Sequence, residues 1–159
     1  MPPSARAVVA LLATLVSPLR GQGAVGLEAG VLTAFGDHTA QAGVRLTELS
    51  PRGGVDVLFA TFPEAFGDGA IPLLLDLDAT LPVAVFPGLF IAPRAGAGVF
   101  GATGTSGGGG TFALNVGVGV IGRVAGPVAL RCDVTEHRFV QDLSLPFRSF
   151  TVGVTWLLR

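Results

Sequence analysis

Apolar residues recur at every second position along most of this chain. The last stretch shows the pattern most clearly. Phe150, Val152, Val154, Trp156 and Leu158 are apolar, while Ser149, Thr151, Gly153 and Thr155 between them are small or polar. A period of two marks a strand with two unlike faces. Seven further stretches repeat it, at about 25–35, 39–49, 55–62, 73–81, 88–100, 111–123 and 128–139. In the fourth, Leu73, Leu75, Leu77 and Leu81 share one face and Asp76, Asp78 and Thr80 the other. A helix would scatter those carboxylates around its circumference; a strand stacks them on one side. In the sixth, Phe112, Leu114, Val116, Val118 and Val120 oppose Ala113, Asn115, Gly117 and Gly119.

Turn-forming residues separate these stretches. Gly36-Asp37-His38-Thr39, Ser50-Pro51-Arg52-Gly53-Gly54, the segment 82–87 and Val124-Ala125-Gly126-Pro127 read as compact turns. The segments 63–71, 101–110 and 140–146 read as longer loops. The second of these, GATGTSGGGG, has no Lys followed by Ser or Thr and opens no helix, so it is a flexible connection and not a phosphate cradle.

Composition says which way the faces point. Of the 159 residues half are hydrophobic and only 13% are charged, too few to coat a soluble domain of this size. No uninterrupted apolar run in the body of the chain approaches the about 20 residues of a membrane helix. Strands of about ten residues, by contrast, span a bilayer when tilted. The apolar rows are almost free of charge at their centres. The opposite rows combine Gly, Ala, Thr and Ser with single charges: Glu28, Arg45, Asp56, Asp76, Asp78, Arg94, Arg131 and Asp133. Small residues mixed with charges suit the narrow interior of an eight-stranded barrel, which side chains just fill. The expected fold is therefore all-β: an eight-stranded antiparallel up-and-down transmembrane barrel over 24–159. Its apolar rows face lipid, and those eight residues form a salt-bridged lumenal network, since unpaired ions inside would be costly. An open edge in lipid would strand polar backbone groups, so the sheet must close.

Residues 1–23 read as a helical signal peptide. Arg6 supplies the positive start, 7–16 (AVVALLATLV) a short apolar stretch, Pro18 a break, and Gly21-Gln22-Gly23 small residues for cleavage. A net charge of −1 points to no nucleic-acid partner. The single Cys132, on an apolar row, excludes an internal disulfide and lacks companions for a metal site. No cofactor is expected. With an even strand number both termini lie on one side, which in outer-membrane barrels is periplasmic, with longer loops outside. Trp156 then falls near the periplasmic rim, and Phe35, Phe112 and Phe150 near the other.

The alternating strands, the exported N-terminus and the strand pair 112–120 with 130–137 resemble the small OmpA/OmpX-type outer-membrane β-barrels. The resemblance covers about residues 24–159 and implies residence in the cell outer membrane, a lipid bilayer as partner, and a monomer. The last strand also resembles the signal read by the outer-membrane assembly machinery, carried here by Thr151, Gly153, Trp156 and Leu158. Family members commonly end in an aromatic, where this chain ends in Arg159. The function implied is non-enzymatic: a structural or adhesive element, or a very narrow pore. Two alternatives stay open. His137, with Ser144 and Ser149 nearby in the chain, matches the residue types of lipid-modifying barrel enzymes, although no acid partner is evident and His137-Arg138-Phe139 lacks a Ser two residues on. A secreted soluble barrel carrying an apolar ligand would instead turn Leu73, Leu75 and Leu77 inward.

Overall fold

The computed structural model describes residues 22–34, 36–50, 52–63, 70–104 and 107–158. The expected signal peptide lies outside them except for its last two residues, as do Phe35 and Arg159. Nine strand segments follow one another: β1 (Gln22–Ala34), β2 (Asp37–Ser50), β3 (Gly53–Thr61), β4 (Ala70–Thr80), β5 (Val83–Phe86), β6 (Leu89–Gly104), β7 (Gly107–Ala125), β8 (Val128–Phe139) and β9 (Asp142–Leu157). Every pairing is antiparallel, and neighbours in sequence are neighbours in the sheet. β1 also pairs with β9, from Ala24 opposite Leu157 to Ala34 opposite Phe147, and this seam closes the sheet. Closure leaves no free edge along the wall.

Nine segments make eight staves because β4 and β5 are one strand. Thr80 lies opposite Arg94 and Val83 opposite Ile91, so the register on β6 runs unbroken across Leu81 and Pro82. Leu81 N still donates to Pro93 O at 2.9 Å. Pro82 has no N–H to continue the ladder, and β3 begins only at Gly53, opposite the last residues of β2. The segment 82–87, expected as a turn, is thus mostly strand. It projects past β3 with Val83, Val85 and Phe86 exposed, and the chain reverses at Pro87-Gly88, where Gly88 has φ +82°.

Two expected loops are also strand. The Gly-rich segment pairs with itself, Gly101 opposite Gly110 and Gly104 opposite Gly107. Backbone pairing needs no side chain, so composition alone hid it. Likewise Asp142–Pro146 belongs to β9, leaving Val140 and Gln141 as the bend after β8. At the other end of the chain, Gln22 and Gly23 pair with Leu49 and Glu48.

The faces are as the alternation requires. Leu75, Leu77, Val116, Val118, Val152 and Trp156 are exposed on the outer surface, while Asp76, Asp78, Asp133 and Thr151 are buried. A soluble carrier with Leu75 and Leu77 inside is incompatible with this arrangement.

Candidate functional site: the layered lumen

One strand displays the plan of the interior. Along β8 the inward residues, from the end that carries the termini, are Ala129, Arg131, Asp133, Thr135, His137 and Phe139. The lumen repeats that order: an apolar layer, an ionic layer, a polar layer, then aromatic rings.

At the terminal end Ala92, Ile121 and Ala129 are buried together, with Leu49 and Phe90 packed against them. Ile121, Ala129, Leu49 and Phe90 border an open vestibule of about 520 Å³ that also touches Gln22, Pro82, Arg123 and Leu157. Above it lies the ionic layer. Arg131 Nη2 donates to Asp56 Oδ2 at 2.5 Å and its Nε to Asp133 Oδ2 at 2.8 Å. Its Nη1 donates to Thr47 Oγ1 at 2.9 Å, and the Thr47 hydroxyl donates in turn to Asp56. Arg45 Nη2 meets Glu28 Oε1 at 3.0 Å and its Nη1 lies 3.7 Å from Asp56. Arg94 donates to Asp133 and Thr135, and its Nε lies 3.4 Å from Asp78. Thr151 Oγ1 donates to Glu28 Oε2 at 3.0 Å. All eight charged residues read from the sequence are therefore inside, and seven of them join one network across the barrel.

The eighth, Asp76, has no guanidinium within ion-pair distance among the described residues. The group it faces is His137, whose Nδ1 lies 3.7 Å from Asp76 Oδ1. The other ring nitrogen, Nε2, is 3.3 Å from Ser149 Oγ. The acid that the sequence leaves unassigned thus comes from β4, and the serine is Ser149. Ser144 is exposed and binds Asp142 instead. His137 is fully buried and stacks on Phe147 with ring centroids 4.7 Å apart and planes 5° apart. Beyond it Phe62, Phe100, Phe139 and Phe147 interlock, Phe62 to Phe100 at 5.2 Å and Phe100 to Phe147 at 5.4 Å. Leu32, Leu58 and Leu74 complete this layer. Sequence reasoning missed the aromatic layer. Each ring continues an inward row by period, Phe62 after Ala60, Phe139 after His137 and Phe147 before Ser149, but the stagger between strands decides that they meet at one height.

Glycine makes room for the carboxylates. A Cβ at Gly98 would stand 2.1 Å from Asp76 Oδ1, and one at Gly119 would stand 2.3 Å from Asp133 Oδ1. Each acid lies over the glycine of the neighbouring strand. The small residues of the inward rows therefore mark where the ions sit.

The four residues of the expected assembly signal divide between faces. Thr151 is buried on the inner row and Gly153 lies on the same row against Glu28, while Trp156 and Leu158 are exposed. Near the end opposite the termini, three charged residues stand on the outer surface: Glu136, Arg138 and Arg148.

No protein-family model matches the chain, and no characterised protein matches it by sequence. Solved structures do. The N-terminal β-barrel domain of Pseudomonas aeruginosa OprF is 17% identical, with a TM-score of 0.64 over 87% of this chain and 100% of that one. Ail, the attachment invasion locus protein of Yersinia pestis, is 12% identical, with a TM-score of 0.59 over 88% of this chain and 100% of that one. The outer membrane enzyme PagL is 15% identical, with a TM-score of 0.53 over 85% of this chain and 99% of that one. At these identities the likeness is one of architecture: the chain folds as a closed eight-stranded barrel of the OmpA/OmpX type.

Proposed function

We infer that this protein is a non-enzymatic integral barrel of the cell outer membrane, structural or adhesive, with no open channel. The observation that carries this reading is the inversion of the barrel. Its outer surface is apolar at Leu27, Leu75, Val116, Leu130 and Val152, and its interior holds the buried ions. Water on the outside would reward the opposite arrangement. Hydrocarbon accepts the apolar wall, and closure satisfies the backbone within it. The filled lumen supports the absence of a channel, because the ionic network and the aromatic layer together occupy its cross-section. In this reading the end with both termini faces the periplasm. The bilayer is the principal partner, the barrel is a monomer, and Thr151, Gly153, Trp156 and Leu158 on β9 address the assembly machinery.

The test has two arms. Folded and boiled samples should migrate differently on a gel, and the protein in a planar bilayer should conduct no more than the empty membrane. Equal mobility would remove the membrane barrel; steady conductance would remove the closed lumen.

Ser149, His137 and Asp76 favour a second reading, a lipid-modifying enzyme of the envelope, since nucleophile, base and acid stand in order. The arrangement lacks a place for a substrate. His137 is fully buried beneath the rings, and Ser149 and Asp76 are nearly so. We assign the trio to packing. If His137→Ala altered lipid A composition in the producing cell, the enzymatic reading would replace ours.

A further inference from the structure

The outer surface carries one feature that neither the closed lumen nor the apolar wall accounts for. Glu136 on β8 stands opposite Arg148 on β9 in the ladder. Its Oε1 accepts from Arg138 Nε at 2.9 Å and Nη2 at 2.7 Å. Its Oε2 accepts from Arg148 Nε at 3.1 Å, with Arg148 Nη2 at 3.0 Å. Two guanidiniums share one carboxylate, so the cluster keeps a net charge of +1. Arg138 and Arg148 stay 49% and 68% exposed, against 23% for Glu136, so the cations face outward and the acid lies beneath them.

Position gives this charge its meaning. Moving toward the termini, the next outward residues are Val134, Cys132 and Leu130 on β8, and Phe150, Val152 and Val154 on β9, none of them charged. From Trp156 to Arg148 the strand advances about 26 Å, or about 20 Å of height at the usual barrel tilt, close to the thickness of the apolar band. With Trp156 at one boundary, the arginines lie at the other, where lipid headgroups begin. Beside them runs a groove of about 260 Å³ walled by Leu114, Val116 and Leu143, with Glu136 and Arg138 at its edge. A cation next to an apolar groove at a headgroup boundary matches an amphiphile that has an anionic head and an acyl tail. Guanidinium groups bind phosphate through paired N–H donors; Arg138 also donates from Nη1 to Leu143 O at 3.1 Å, and each arginine still carries N–H groups beyond these contacts.

We propose that Arg138 and Arg148, held together by Glu136, bind a phosphorylated lipid of the outer leaflet, with its phosphate on the guanidiniums and an acyl chain in the groove. This inference rests on the membrane placement and orientation inferred above.

The probe is diphosphoryl lipid A, compared with the same lipid stripped of its phosphates. Each is mixed into phosphatidylcholine nanodiscs around the full folded protein, and the lipid retained after detergent extraction is measured by native mass spectrometry. The wild type should retain the phosphorylated form about tenfold better, the scale of two surface arginines acting on an anionic headgroup. R138Q/R148Q should lose that preference, and R52Q, which alters an exposed arginine at the opposite end, should keep it. An excess of inorganic phosphate should displace nothing. Equal retention by the wild type, an unchanged double variant, a loss in R52Q, or displacement by free phosphate would each overturn the proposal. Heat-modifiable mobility of the same samples separates the two levels. Normal mobility without phosphate preference defeats the lipid site alone, whereas failure of the wild type to enter nanodiscs defeats the membrane reading beneath it.

Discussion

Arg131 is the side chain that most of the interior depends on. It reaches Asp56, Asp133 and Thr47 at once, from strands on different sides of the barrel. Removing it leaves two buried carboxylates without their principal cation. Arg131→Ala should therefore destabilise the barrel by about 3–5 kcal/mol, the usual cost of breaking a buried pair from one side. Urea titration of the protein refolded in lipid vesicles measures this. A loss below ~1 kcal/mol would show that water or a rearranged Arg94 replaces it. That Arg131 and the acids share the interior was legible in the sequence, because period two assigns a face. Which acid Arg131 meets was not. Asp56 is far away in the chain, and the stagger between strands decides which inward residues share a height. His137 shows the same limit: its face could be read, but its partners Asp76 and Ser149 could not. Two glycines make a sharper contrast. A Cβ at Gly30 would lie 1.9 Å from Phe150 O on the closing strand, whereas one at Gly109 meets nothing within 4 Å. Gly30→Ala should sharply lower the yield of heat-modifiable barrel and Gly109→Ala should leave it unchanged; equal yields would mean that the β1–β9 seam tolerates displacement.

At the scale of elements, each strand has one row for the lumen and one for the surroundings, and exchanging the character of a row tests the assignment. Val152 is outward near the middle of β9, between Ala29 on β1 and Cys132 on β8. In hydrocarbon, Val152→Arg should cost about 2–4 kcal/mol; on a water-facing surface the same change stays within about 0.5 kcal/mol. Refolding into vesicles of a short-chain phosphatidylcholine reads the difference. The strands themselves were the most legible part of the chain, down to the face of nearly every residue. Their ends were not. Pro82 and the glycines of 101–110 carry ordinary turn and loop signals, yet both lie within paired strand. A strand supported on one side by a long neighbour tolerates a proline on its free side, and two glycine segments pair through backbone alone. Both effects depend on the neighbouring strand, which single-strand periodicity does not describe.

The whole molecule is a barrel with its polarity reversed: ions, hydroxyls and rings fill the inside, and apolar side chains cover the outside. The ionic layer needs enclosure to keep its pairs, and the apolar wall needs hydrocarbon to be stable, so the two features support one placement. Trp156 reports on that placement directly, because it is the single tryptophan of the chain and its ring is exposed on the outer surface. In vesicles whose phosphatidylcholine carries bromine high on the acyl chains, the fluorescence of Trp156 should be strongly quenched, while acrylamide added to the water should have little effect. Undiminished emission beside brominated chains, together with free access for acrylamide, would mean that the apolar wall does not touch lipid.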